Sequence, residues 1–196
     1  MNRFFAGILM AAVVAVPAFA ALKQSDKAPD FSAKASLAGK EFNFSLKDAL
    51  KKGPVVVYFY PSAFTGGCNI EAHTFAENKE KFDAAGASII GVSADSIKRL
   101  NAFSADPQYC AGKIPVASDP DGSIAKSFDL KTSAGKPGMK DTRGEDIDHD
   151  FTERTTFVVT ADGKIAATLS STDDKITPAQ HVEKSLAAVQ DLKMSK

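Results

Sequence analysis

Apolar positions along this chain change their spacing several times, and each spacing predicts a different element. Val55-Val56-Val57-Tyr58-Phe59-Tyr60 and Ala87–Val92 are unbroken runs rich in β-branched residues, the pattern of strands buried on both faces. Between them, Cys68, Ala72, Phe75 and Phe82 fall on one stripe of a helix over about 65–85, which Gly86 ends. Asp95 or Ser96 caps a further helix to about Ser104, with Ile97, Leu100 and Phe103 inward. Upstream, Phe31–Ser36 and Glu41–Phe44 flank a turn and predict a hairpin, and Ser45 opens a short helix through Lys52. Downstream come a short strand at Ile114–Ala117, a turn at Asp119-Pro120-Asp121-Gly122 and a short helix at Ser123–Phe128. Residues 131–150, rich in Lys, Gly and Asp and without periodicity, predict a long exposed loop. Arg154–Thr160 and Lys164–Ser170 form a second hairpin around Ala161-Asp162-Gly163. Thr177-Pro178 starts a final helix with Val182, Leu186 and Val189 inward.

The middle of this order wants parallel strands joined by right-handed crossovers, and the end wants an antiparallel pair. The mixture predicts an α/β fold, a thioredoxin-like three-layer α/β/α domain with a mixed central sheet and an N-terminal β-hairpin extension. No repeat or low-complexity tract divides the chain, so residues 21–196 form one domain.

Residues 1–20 are set apart. Arg3 is followed by an uncharged run from Phe4 to Val16, and Ala18-Phe19-Ala20 offers the small residues of a signal-peptidase site before Ala21. The run is short for a membrane span. The expectation is a cleaved secretory signal, export to a bacterial periplasm and no stable membrane insertion; the alternative is an uncleaved anchor. Charge adds little, since 24 basic residues balance 24 acidic ones. Nothing basic enough to hold nucleic acid is present.

The chemistry concentrates in Pro61-Ser62-Ala63-Phe64-Thr65-Gly66-Gly67-Cys68-Asn69-Ile70-Glu71. A buried strand ends at a proline, a glycine-containing loop follows, and a cysteine enters the first turn of a long helix. Backbone N–H groups are unpaired in that turn and favour negative charge, so a thiolate placed there is stabilised. The glycines allow a substrate close to the backbone, and Thr65 can cap the helix or offer its hydroxyl to a bound oxygen. The same cysteine also lies on the Phe75/Phe82 stripe, where it would be a small apolar core residue. On physical grounds alone the two readings stand level.

The pattern Pro61-x-x-x-Thr65-x-x-Cys68 resembles the active-site signature of the peroxiredoxins. Lys27-Ala28-Pro29-Asp30-Phe31, the strand at Val55–Tyr60, Ser118-Asp119-Pro120-Asp121-Gly122, Glu153-Arg154-Thr155-Thr156-Phe157-Val158-Val159 and Asp162-Gly163-Lys164-Ile165 resemble further blocks of that family, in order. The likeness covers roughly residues 25–195 and is nearest to the bacterioferritin-comigratory-protein, or peroxiredoxin Q, branch. It implies a thiol peroxidase acting on hydrogen peroxide or organic hydroperoxides. Cys68 would be the attacking thiolate, Thr65 would orient the peroxide, and Pro61 would shield the pocket. Arg154 would stabilise the thiolate and the developing oxygen charge, and Glu71 would position Arg154. No cofactor or metal is implied. The partners are peroxide and a thioredoxin-like or other thiol reductant, and the protein would be a monomer or dimer.

The second thiol is Cys110. Many members of the branch carry a second cysteine five residues after the first, where this chain has His73. Others carry it near the region of Cys110, which the resemblance makes the resolving cysteine; the alternative is an enzyme with one working cysteine. Gly66 departs from the bulkier residue, often proline, usual in the branch, and the 131–150 segment diverges as well. Two other functions compete. A thioredoxin-fold disulfide oxidoreductase would want a cysteine at position 71, which is Glu. A non-catalytic exported module would use Cys68–Cys110 as a structural disulfide. His73, His149 and His181 do not have metal-ligand spacing, and Phe151 and Phe157 are expected in the core or pocket wall.

Overall fold

The protein is represented by a computed structural model that describes residues 21–195. The predicted signal segment, 1–20, lies outside the described residues. The elements are β1 (Ser32–Leu37), β2 (Lys40–Ser45), α1 (Leu46–Leu50), β3 (Val55–Phe59), α2 (Gly66–Ala84), β4 (Ser88–Ser93) and α3 (Ile97–Ala105). They continue with β5 (Val116–Ser118), α4 (Ser123–Ser127), β6 (Thr132–Ser133), β7 (Phe151–Thr152), β8 (Thr155–Val159), β9 (Ile165–Ser170) and α5 (Pro178–Met194). The fold is the mixed α/β arrangement expected of the thioredoxin-like class.

Seven strands form one sheet in the order β2-β1-β5-β4-β3-β8-β9. The pairs β3–β4 and β4–β5 are parallel, and every other pair in the sheet is antiparallel. The chain steps from β3 to β4 to β5 in one direction across the sheet. Right-handed crossovers therefore put α2 and α3 on the same face. Alternation along β3 divides the core in two. Val56 and Tyr58, with Tyr60 just beyond the strand, meet α2, α3 and α5 through Phe75, Phe82, Leu100, Phe103, Val182 and Val189. Val55, Val57 and Phe59 face the opposite layer, where Leu46, Phe31, Ile124, Phe128 and Phe157 pack.

Local sequence explains several boundaries. Thr177 and Gln180 close a capping box on α5 with Pro178 at its first position. Ser96, rather than Asp95, caps α3 by accepting from the Arg99 N–H. Gly91 in β4 has no room for a side chain, since a Cβ there would lie 2.5 Å from the Tyr58 ring. The 131–150 segment departs from expectation. Its start, β6, pairs with β7 just past its end, Asp141 and Ile147 within it are buried, and it docks on the loop before α2. Buried anchors separated by polar residues leave no periodic trace in the sequence. Among the described residues no helix is long and apolar enough to cross a membrane.

Candidate active site

β3 delivers the chain to Pro61, whose side chain is half-buried, and the turn Ser62–Thr65 carries it to the start of α2. Thr65 is the N-cap residue by backbone position, but its side chain makes no capping bond. Its hydroxyl donates instead to the Ser62 carbonyl at 2.8 Å, which leaves the oxygen's lone pairs free to accept. Cys68 follows in the first turn. Its side chain is only 2 % exposed, on the Ala72/Phe75 stripe as predicted, yet it is not an inert core residue. Arg154 Nη2 donates to Cys68 Sγ at 3.1 Å, across 86 residues of sequence. Cys68 is packed like a core residue, and its sulfur also accepts a bond from an arginine.

Arg154 lies just ahead of β8 rather than in it. β8 pairs with β3, and Thr155 opposes Phe59. That register brings the end of one strand to the beginning of the other and places Arg154 over the start of α2. The other terminal nitrogen of Arg154, Nη1, bonds the Glu71 carboxylate, one helical turn from Cys68. Glu71 is fully buried, and burial pushes its carboxyl up while Arg154 pulls it back, to about 7. Burial acts against the Arg154 charge, but Glu71 and then Cys68 outweigh it and hold the guanidinium more firmly protonated. Gly67 makes room for this fork. A Cβ at that position would stand 3.2 Å from Arg154 Nη2 and 3.3 Å from Pro178 Cγ.

Two histidines not assigned from sequence buttress the site. His181 is buried, with Nδ1 bonded to the Thr156 hydroxyl at 3.0 Å and Nε2 to the Ser171 hydroxyl at 2.9 Å. Burial, and then the Arg154 charge, push its pKa down to about 4. The ring is therefore neutral near pH 7 and adds no cation beside Arg154. His149 Nε2 lies 2.9 Å from Asp95 Oδ1 and 3.3 Å from Ser62 Oγ. Asp95 in turn accepts from the Ala63 N–H at 2.7 Å, from Ser93 Oγ at 2.7 Å and from Ser62 Oγ at 3.2 Å. Burial acts to lower the His149 pKa, but the Asp95 carboxylate outweighs it and holds the imidazole above its usual value. Asp95, considered from sequence only as a helix cap, thus anchors the turn that precedes Cys68. Neither histidine had a sequence signal, because each finds its partners only through the fold.

Cys110 is a free thiol, as is Cys68. It lies in the turn after α3, directly after Tyr109, and is fully buried in the same apolar layer as Cys68. Burial, and then the Asp106 charge, push the Cys110 thiol well above its ordinary value. Both effects favour the protonated thiol. Of the residues singled out from sequence, Arg154 bonds both Cys68 and Glu71, Pro61 and Thr65 lie on the turn that leads to Cys68, and Cys110 is buried elsewhere in the same apolar layer.

Comparison with known proteins agrees with this geometry. The model of the AhpC/TSA family matches residues 25–168. Peroxiredoxin Bcp of Xanthomonas campestris is 33% identical over 135 residues, covering 69% of this chain and 75% of that protein. Among solved structures, peroxidoxin BcpB from Mycobacterium tuberculosis superposes with a TM-score of 0.71 at 28% identity, covering 87% of this chain and 97% of that one. The bacterioferritin comigratory protein of X. campestris, solved in a study of its alkyl peroxide reduction activity, superposes with a TM-score of 0.63 at 30% identity, covering 82% and 91%. With a cysteine at a helix start, an arginine on its sulfur and these relatives, the chain belongs to the AhpC/TSA family, on the bacterioferritin comigratory protein branch of the peroxiredoxins, and is a thiol-dependent peroxidase.

Proposed function

We propose that Cys68 is the sulfur that attacks the peroxide, and that Cys110 resolves the product. The observation that carries the reading is the Arg154 fork, one arm on Cys68 Sγ and the other on buried Glu71. A charge-assisted donor at the sulfur favours the thiolate. The thiolate attacks one peroxide oxygen, the O–O bond breaks, and the leaving oxygen departs as hydroxide or alkoxide and takes a proton. The Thr65 oxygen, its own proton committed to Ser62, accepts from the peroxide O–H and aligns it. Arg154 and the backbone N–H groups opening α2 stabilise charge on the leaving oxygen. The product on Cys68 is a sulfenic acid.

Resolution forms the Cys68–Cys110 disulfide with loss of water, and an external thiol reductant of the thioredoxin kind returns both thiols. Because Cys110 is fully buried in the apolar layer, the step requires local opening of that layer. The substrate class is hydrogen peroxide and small organic hydroperoxides, in line with the alkyl peroxide activity described for the X. campestris protein. Residues 1–20 are read as an export signal cleaved before Ala21, and the periplasm as the place of action, where the two-cysteine cycle suits an oxidising compartment. Intact mass after one equivalent of peroxide tests the whole reading. The expected product starts at Ala21, has lost two hydrogens and carries the Cys68–Cys110 link. In Cys110→Ser a Cys68 sulfenic acid should accumulate, and Cys68→Ser should consume no peroxide. Parent-like turnover by Cys68→Ser defeats the assignment.

A further inference from the structure

The turn before α2 contains a strained residue, and the segment 139–147 holds it in place. Phe64 has φ 60°, the left-handed region that a bulky side chain avoids. Such a conformation persists only where its surroundings over-determine it. The Phe64 carbonyl accepts two bonds from one residue, the Thr142 backbone N–H and the Thr142 hydroxyl, each at 2.9 Å. The Arg143 guanidinium carbon stands 3.3 Å from the centre of the Phe64 ring. Asp141 is buried and joins two arginines: it accepts from Arg143 Nε and Nη2 at 3.0 and 2.8 Å and from Arg99 Nη2 at 2.7 Å. Arg99 Nη2 also reaches the Ala63 carbonyl at 3.1 Å. The residues on either side of Phe64 are the Asp95-bound Ala63 and the substrate-facing Thr65. The Phe64 ring also meets Phe103 and Tyr109 edge to face, in the apolar cluster that holds Cys110, and Tyr109 is the residue before that thiol.

We propose that Thr142 and Arg143 are positioning residues for the peroxidase reaction: by holding Phe64 in its strained conformation they keep the Thr65–Cys68 turn in its peroxide-reactive shape and keep Cys110 covered. The inference rests on the role proposed above for Cys68. Neither side chain touches the sulfur. Thr142 acts on the carbonyl one residue before Thr65, and Arg143 acts on a ring that also packs against Tyr109, the residue before Cys110. Loss of the clamp lets Phe64 relax to an ordinary conformation. That moves Thr65 and uncovers Cys110 together.

The test compares the parent with Thr142→Val/Arg143→Ala and with the conservative Thr142→Ser/Arg143→Lys. The rate of Cys68 oxidation is measured by competition for hydrogen peroxide against a reference peroxidase. Labelling of Cys110 by a disulfide dye is measured in a Cys68→Ser background. The first variant should oxidise Cys68 about tenfold more slowly, the scale of a misplaced reacting group. Its Cys110 should label about tenfold faster, as local opening of a cover predicts. The conservative variant should restore both to within about threefold, because hydroxyl and cation are retained. Should the double substitution unfold the chain by circular dichroism, Thr142→Val alone, which removes only one hydroxyl, is expected to shift both readouts about threefold in the same directions. A folded variant with either readout at the parent value overturns the inference. If the parent itself does not use Cys68 against peroxide, the proposed function fails instead.

Discussion

Replacing Arg154 by Met keeps most of the apolar stem and removes the guanidinium, and it separates two consequences of one side chain. The first is kinetic. Arg154 supplies the 3.1 Å bond to Cys68 Sγ and the charge that would meet the leaving oxygen. Removing one such donor from a water-poor site costs about 10²–10³-fold in rate, or about 3–4 kcal/mol. The second is thermodynamic. Glu71 is fully buried and loses its ionic partner, and breaking a buried pair in this way costs about 3–5 kcal/mol. The pH dependence of that cost follows from Glu71. In the parent the carboxyl stands at about 7 against an ordinary 4.5. A raised pKa gives stability that is full below the unfolded value and lost as pH rises through the folded one. Without Arg154 the folded value rises further, so the variant goes on losing stability above pH 7 where the parent no longer does. Between pH 7 and 8.5 the gap should widen by about 2 kcal/mol, at about 1.4 kcal/mol per pH unit. Urea unfolding at pH 5, 7 and 8.5 measures the gap, and peroxide competition measures the rate, since the chain has no tryptophan to report by fluorescence. A rate within about threefold of the parent, or a gap that closes as pH rises, refutes the argument.

Gly66→Pro should stabilise the protein by about 0.5–1 kcal/mol in urea melts, because Gly66 is the first residue of α2, a Cβ there meets nothing within 4 Å, and Thr65 already has the extended backbone a following proline requires; a lower midpoint would show that the glycine is needed. His149→Gln should cost about 1–2 kcal/mol at pH 6. The raised His149 pKa makes its bond to Asp95 fully stabilising below about 6.5 and weaker above, so the deficit should shrink toward pH 8.5; a deficit that grows with pH contradicts the pairing.

Strand and helix positions were legible in the sequence because they depend on local spacing. Val55–Phe59 is apolar on both faces and became an interior strand of the sheet, and Thr177-Pro178 opened the last helix where predicted. The start of the site was legible for the same reason, since Cys68, Thr65 and Glu71 occupy one turn and the helix after it. Arg154 needed family likeness, because only the β3–β8 register brings it to the sulfur. The polar supports were not legible at all. Ser62 and His149 are 87 residues apart, and Thr142 and Phe64 are 78 apart. Such pairs follow no period, and the segment carrying their distal members looked like solvent-exposed loop. Thr65 shows a smaller limit: its place as N-cap was predictable, but the choice of Ser62 over the helix N–H groups was settled by the turn's curvature.

The division of the apolar interior by the sheet has a consequence for endurance. Cys68 and Cys110 both belong to the layer under α2, α3 and α5, while Phe31, Leu46, Phe128 and Phe157 fill the opposite layer. An opening confined to the first layer would leave the second as an undisturbed keel. The cycle proposed for Cys68 and Cys110 would then disturb one half of the molecule while the other preserves the register of the strands, so closure would refold a few turns rather than the whole chain.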